Sequence, residues 1–142
     1  MRWQLTRTVV LMAAATALAL FLAACGDDDD DAAAEVQLTQ ADSGKTVSLA
    51  RGGTLIVALT SNPSTGYAWS VVSPEPKNLE LDGQPEFVPP GSTSPVVGAA
   101  GTQVFTFKAV ATGKSTLRME YRRSFEPNGP AQGTFTVEVE VK

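Results

Sequence analysis

The sequence predicts an all-β protein, an immunoglobulin-like antiparallel β-sandwich with Greek-key connections. Three observations predict it. From Glu35 onwards apolar residues recur at every second position, the period of a half-buried strand, and no stretch keeps a helical period. The 12 glycines and 9 prolines cut this pattern into short runs, as turns between strands require. Seven or eight such runs in roughly 110 residues suit two sheets packed face to face. An antibody-type domain is not expected, because the single cysteine leaves no inter-sheet disulfide.

The N-terminal segment reads differently. Met1-Arg2-Trp3-Gln4-Leu5-Thr6-Arg7 is short and basic, and an apolar run from Val9 to Leu22 follows. At about 14 residues that run is too short to span a bilayer and suits the core of a signal peptide. Leu22-Ala23-Ala24-Cys25 then resembles the cleavage box of bacterial lipoproteins. In that family the cysteine is lipidated, with palmitate among its acyl groups, and becomes the new N-terminus. The expected organisation is a lipoprotein signal peptide at 1–24, lipidated Cys25 with an Asp-rich tether at 25–34, and a sandwich domain at 35–142. A plain secretory signal or an uncleaved anchor is the alternative. The expected location is the bacterial cell envelope, lipid-anchored on the outer side of the cytoplasmic membrane or in the periplasm or cell surface. Five consecutive aspartates, residues 27–31, repel one another and read as a solvated spacer. They lack the glycine and ligand spacing that would shape a cation cage.

Composition excludes several functions. There is no histidine, and Cys25 is the only cysteine. Ser-His-Asp and Cys-His catalysis and the common zinc sites cannot be built from this chain alone. The formal charge of −4 belongs mostly to the tether. From Glu35 onwards nine Lys/Arg face ten Asp/Glu, without a basic stripe, so nucleic-acid binding is not expected. No cofactor and no metal are expected.

Taken in order, Val36, Leu38 and Gln40 alternate with polar neighbours. Asp42-Ser43-Gly44 signals a turn, Thr46-Val47-Ser48-Leu49 alternates again, and Gly52-Gly53 breaks the run. Leu55, Val57 and Leu59 share a face with Ile56 and Ala58 opposite, so this strand is apolar on both sides, as a central one is. Tyr67, Trp69 and Val71 share the next face, with Trp69 the largest core candidate. Prolines at 74, 76, 85, 89 and 90 confine Leu79-Glu80-Leu81 and Glu86-Phe87-Val88 to edge pieces. Residues 92–101 are small and read as a mobile loop. Phe105, Phe107 and Ala109 face one way; after the turn Thr112-Gly113, so do Leu117, Met119 and Tyr121, with Arg118, Glu120 and Arg122 outside. In the last strand Phe135, Val137, Val139 and Val141 alternate with polar residues.

The most informative stretch is Ser61-Asn62-Pro63-Ser64-Thr65-Gly66-Tyr67-Ala68-Trp69, a loop between two strands. Asn62 precedes a proline and is pushed to extended backbone. Pro63 fixes its own φ, and Gly66 can take φ > 0. The product is a narrow wedge tipped by two hydroxyls, costing little entropy to dock. An ordinary hairpin turn is the alternative. In an immunoglobulin-like sandwich this loop shares an end with the loop after residue 122, and the loop before residue 103 joins them if its strands keep the same alternation.

These three loops together resemble the chagasin-type inhibitors of cysteine peptidases. That family carries an Asn-Pro-Thr-Thr-Gly-Phe/Tyr loop, a Gly-x-Gly-Gly loop and an Arg-Pro-Trp/Phe loop, in this order. Asn62, Pro63, Ser64, Thr65, Gly66 and Tyr67 match the first closely. Gly98, Ala99, Ala100 and Gly101 match the second in part, with Ala100 at the middle glycine. Arg123, Ser124 and Phe125 match the third in part, with Ser for Pro. The resemblance covers roughly residues 36–142.

The resemblance implies a monomeric, reversible inhibitor of papain-family cysteine peptidases, not an enzyme. Its wedge enters the cleft near the catalytic cysteine and histidine while the other loops grip the walls. Ser64 and Thr65 would offer hydroxyls, Gly98 and Gly101 close backbone approach, Phe125 a flat apolar face and Arg123 a charge. Each residue has a plainer alternative: loop glycines at 98 and 101, Phe125 tucked into the core edge, Arg122 and Arg123 as solvated charges, Tyr67 and Trp69 as core beneath the wedge. Ala100 and Ser124 imply weaker inhibition or a shifted peptidase preference. The competing function is a cell-surface immunoglobulin-like binding or adhesion module. An enzyme using Glu75/Glu80 or Glu120/Glu126 is disfavoured, since so small a sandwich offers no obvious pocket.

Overall fold

Alternation becomes strand throughout the computed structural model, which describes residues 33–72, 75–91 and 98–142. The strands are β1 (Ala33–Thr39), β2 (Thr46–Ser61), β3 (Tyr67–Val71), β4 (Leu79–Leu81), β5 (Glu86–Val88), β6 (Gly101–Ala109), β7 (Gly113–Arg123) and β8 (Gly133–Val141). They pair in the order β3-β7-β8-β2-β6-β4, with β1 added to β2 and β5 to β6. Cys25 and the N-terminal segments expected before it, residues 27–31 of the tether, and residues 92–97 of the expected mobile loop lie outside the described residues. Among the described residues strand pairing includes Ala33, two residues before the expected start of the domain.

One strand makes the sandwich. The first part of β2 lies parallel to β8, with Thr46 opposite Glu138 and Leu49 opposite Val141. Its second part runs antiparallel to β6, from Thr54 opposite Lys108 to Ser61 opposite Gly101. Strand β8 ends where Val141 pairs with Gly113. Strand β6 ends beside Asn78, which donates through Nδ2 to the Gly113 carbonyl at 2.7 Å and accepts at its own carbonyl from Val110 N at 3.0 Å. Both therefore run to one pole, and β2 descends beside β8 and returns beside β6. The sequence places a break at Gly52-Gly53; the strand span continues through it, but the ladders shift register between Leu49 and Thr54, where the strand folds over. Gly52 has φ +81°. A Cβ on Gly53 would lie 2.8 Å from the carbonyls of Ala34 and Ala50.

The faces expected to be apolar close the space between the two layers. Leu55, Val57, Leu59, Leu117, Met119, Phe135, Val137 and Val139 are fully buried, with Phe105, Phe107 and Trp69 nearly so. Each such side chain contributes about 1.5–3 kcal/mol on transfer from water. The two short proline-flanked runs are β4 and β5, both on β6 at the sheet edge, as expected. Gln40 differs from expectation: β1 ends at Thr39 and a 3-10 turn takes over. There Asp42 accepts from Lys45 Nζ, Thr39 N and Thr39 Oγ1, and these bonds, Lys45 first, hold its carboxyl at about 2. Glu120 differs too. It stands on the outward face of β7 yet is 6% exposed, because Arg118 and Arg122 close over it.

Gly53→Ala is expected to cost about 1–3 kcal/mol, since the new methyl meets backbone oxygens that cannot swing away. Thermal unfolding of residues 33–142 checks this: the midpoint should fall by several degrees, and an unchanged midpoint would refute the crowding at the turn.

Candidate functional site

At the pole where β2 ends, Asn62 starts the wedge loop. It is extended, with φ −130° and ψ 90°, and Pro63–Thr65 form one 3-10 turn closed by Gly66 at φ +78°. Thr65 N donates to the Asn62 carbonyl at 3.1 Å and Gly66 N to that of Pro63 at 3.0 Å. The Asn62 side chain is the hub of the loop. Its Oδ1 accepts from Ser64 Oγ at 2.6 Å and Ser64 N at 3.3 Å, and its Nδ2 donates to the Gly98 carbonyl at 2.9 Å. Its backbone N–H donates to the hydroxyl of Tyr121 at 2.8 Å. Thr65 Oγ1 donates to the Asn62 carbonyl at 2.6 Å. The two tip hydroxyls therefore spend their protons inside the loop. They present oxygen lone pairs outward, rather than the general donor and acceptor capacity read from the sequence.

The second loop is fixed to the first by that Asn62–Gly98 bond. Gly98 has φ +84°, a conformation an L side chain resists. Ala99 is half-buried and Ala100 exposed. Gly101 is required by its own chain: a Cβ there would lie 2.6 Å from the Phe87 ring and against the Val88 carbonyl, so β5 makes a close approach.

The third loop meets the first through an aromatic edge. A Cβ on Gly66 would sit 2.7 Å from Cε1 of Phe125, whose ring is 67% exposed and not tucked into the core. Arg123 is partly exposed but not free. Its guanidinium carbon lies 5.0 Å from the Tyr67 ring centroid and 5.8 Å from that of Phe125, and Nη1 pairs with Glu126 at 3.6 Å. Tyr67 in turn lies 5.4 Å from Tyr121, and Trp69 lies 5.2 Å from it. Trp69 is buried core, while Tyr67 is half-buried beneath the arginine. The wedge, Gly98 and the Arg123/Phe125 loop thus form one surface.

Two residues escape the sequence reading. Gln103 accepts from Trp69 N at 3.0 Å and Ser61 Oγ at 3.4 Å, and donates through Nε2 to the Trp69 carbonyl at 3.3 Å. It ties the roots of all the strands that carry the wedge to β6. Tyr121 was expected as core, but its hydroxyl holds the wedge backbone. The signal is there in the pattern. Ser61, Gln103 and Tyr121 each continue an apolar inward face at the loop end of a strand with a polar atom.

Contrary to expectation the sandwich does have a groove, of about 380 Å³, lined by Trp69, Phe105, Phe107, Glu75 and Glu80. It opens on the flank between β3 and β4 and includes no residue of the three loops. Of the two carboxylate pairs considered, Glu75 and Glu80 line this groove, away from the loops, while Glu120 is locked between two arginines and Glu126 is paired with Arg123. Among the described residues no cluster of three or more His, Cys, Asp or Glu could hold a metal.

Comparison with known proteins bears on this surface. The model of the family described as Chagasin family peptidase inhibitor I42 matches residues 48–139. Amoebiasin-1 of Entamoeba histolytica is 30% identical over 107 residues, 75% of this chain and 100% of the relative. Chagasin of Trypanosoma cruzi is 30% identical over 106 residues, 71% of this chain and 93% of the relative. The crystal structure of EhICP2, a cysteine protease inhibitor from Entamoeba histolytica, superposes with a TM-score of 0.67 at 24% identity, covering 76% of this chain and 96% of its own; this supports the fold. With the family model spanning most of the sandwich and amoebiasin-1 matched over its whole length, the chain belongs to the chagasin family of peptidase inhibitors.

Proposed function

We propose that this peptidase inhibitor acts on papain-family cysteine peptidases by seating its three loops across the active-site cleft, reversibly and without covalent chemistry. One observation carries the reading. The Asn62–Gly98 hydrogen bond and the Phe125 ring against Gly66 bring the wedge, the second loop and the third loop to a single surface. A cleft with two walls needs a central insertion and two flanking contacts, and one surface supplies all three. In such an enzyme the cysteine and histidine form a thiolate–imidazolium pair, so the cleft offers an N–H donor. Thr65 Oγ1, its proton given to Asn62, is an acceptor at the wedge tip. Ser64 and Thr65 are not nucleophiles: the chain has no histidine to activate them. In this reading the second loop, which meets the wedge at Gly98, and the third, which meets it through Phe125 and Arg123, would take the two walls. Phe125 supplies an exposed apolar face already backed by Arg123, the kind of aromatic anchor that dominates interfaces. The adhesion-module alternative is disfavoured by family membership.

The same reading places the chain at the bacterial cell envelope, cleaved after residue 24 and lipidated on Cys25. The N-terminal sequence supports it, and so does the course of β1. Ala33 pairs with Leu49, which pairs with Val141, at the pole remote from Ser61 and the loops. A tether entering there would hold the loops away from the membrane.

Two measurements test the proposal. Titration of papain with residues 33–142 should show reversible, stoichiometric loss of activity, and Thr65→Trp should abolish it while leaving the thermal midpoint unchanged; no inhibition by the native domain would overturn the reading. Tyr121→Phe removes the acceptor of the Asn62 N–H and should weaken inhibition about tenfold, the equivalent of a net hydrogen bond of roughly 1.4 kcal/mol.

A further inference from the structure

We infer that Arg122, aimed by the buried carboxylate of Glu120, is the positioning residue that holds the third loop in its docking shape; the inference rests on the inhibitory role given to that loop. Residues 124–132 form no strand. Three backbone bonds order parts of the loop: Glu126 N donates to Arg123 O and Gln132 N to Tyr121 O near its ends, and Gly129 N to Glu126 O in its middle. Arg122 adds a bracket from below. Its Nη1 donates to the carbonyls of Pro127 at 3.3 Å and Gly129 at 2.5 Å. These two carbonyls belong to the far arm of the loop, while Arg123 and Phe125 lie on the near arm. One guanidinium thus spans the loop.

A guanidinium holds that span only if its plane is fixed, and Glu120 fixes it. Arg122 Nε donates to Glu120 Oε2, and Arg118 Nη2 donates to Oε1 at 2.9 Å. The groups facing Glu120 from the neighbouring strands, Ser70 on β3 and Thr134 on β8, carry no charge. Both carboxylate oxygens are therefore committed to arginines, and the Arg122 hydrogen bond above all holds the carboxyl below its ordinary value. A lysine would not replace Arg122, because a point charge cannot meet one carboxylate and two carbonyls in a plane. The sign of the pH response follows. The carboxyl is charged, and the bracket aimed, at and above the ordinary glutamate pKa. That contribution is lost as pH falls through the lowered value of the folded protein.

Hydrogen exchange of residues 124–132, corrected for intrinsic rates, tests the bracket without a peptidase; papain inhibition then reads its consequence. Arg122→Met is expected to speed exchange there about 10- to 100-fold and to raise the inhibition constant over a similar range through faster dissociation. Exchange in the wedge should stay as in the native chain. Arg122→Lys, which keeps the charge beside Glu120, should fail to rescue either readout. In the native chain, exchange in the loop should rise as the pH falls below the ordinary glutamate pKa and through the lowered value of Glu120, and Glu120→Gln should abolish that rise. Unchanged loop exchange in Arg122→Met overturns the inference. So does equal loosening in Arg118→Met, which would mark a general weakening of β7. If the native domain does not inhibit papain, the inhibitory reading fails, while loop exchange still decides whether Arg122 is the bracket.

Discussion

The loop pole depends on the saturation of Asn62. Every polar group of this residue has a partner inside the protein: Tyr121 for its N–H, Thr65 for its carbonyl, Ser64 for Oδ1 and Gly98 for Nδ2. Only the second N–H of its side-chain amide is left over. The effect of Asn62 is exerted on the two loops it joins. The proline after it makes the arrangement cheap, because an asparagine ahead of proline is already biased towards the extended conformation that aims its side chain across the gap. Gly66 completes the geometry from the other end, with a positive φ and an empty Cβ position that the Phe125 ring covers.

Rigidity of this kind matters because binding energy is spent on ordering. An interface loop that must be immobilised on docking loses roughly 0.5–1.5 kcal/mol for each mobile side chain. Here the wedge, Gly98, Arg123 and the far arm of the third loop are fixed before any partner arrives. Their supports come from inward-facing positions at the ends of three strands. At the loop ends of β2, β6 and β7 the apolar core gives way to Ser61, Gln103 and Tyr121. The same alternation that builds the core therefore delivers a polar floor under the site. A hydrophobic residue at Gln103 or Tyr121 would satisfy the strand pattern and leave backbone groups of Trp69 or Asn62 without these partners.

Much of this was legible in the sequence. The period of two gave all the strands after Glu35, and the prolines correctly demoted residues 79–81 and 86–88 to the edge. The wedge backbone followed from Pro63 and Gly66 alone, because both residues act locally. What was not legible depended on partners distant in sequence. Glu120 alternates as an outward residue and does face outward; only the two arginines folding over it make it buried. That Gly101 must be glycine because β5 packs against its Cβ position does not show in the local sequence. The hydroxyls of Ser64 and Thr65 look available because nothing in the local sequence says that Asn62 has already taken their protons.

Ser124 shows how the site tolerates a change that local reasoning counts as a loss. A proline in this loop would restrict the backbone through its own ring, and serine gives that up. The constraint is not absent; it has moved to side chains. Arg123 lies over two aromatic rings, and Arg122 reaches past it to the carbonyls of the far arm. A proline acts on one φ and is blind to pH, whereas a bracket held by Glu120 spans several residues and depends on a carboxylate remaining charged. The two solutions differ most in acid, where the ionic one weakens first. The rigidity of the third loop is thus conditional on the medium, while that of the wedge, built from a proline, a glycine and neutral hydrogen bonds, is not.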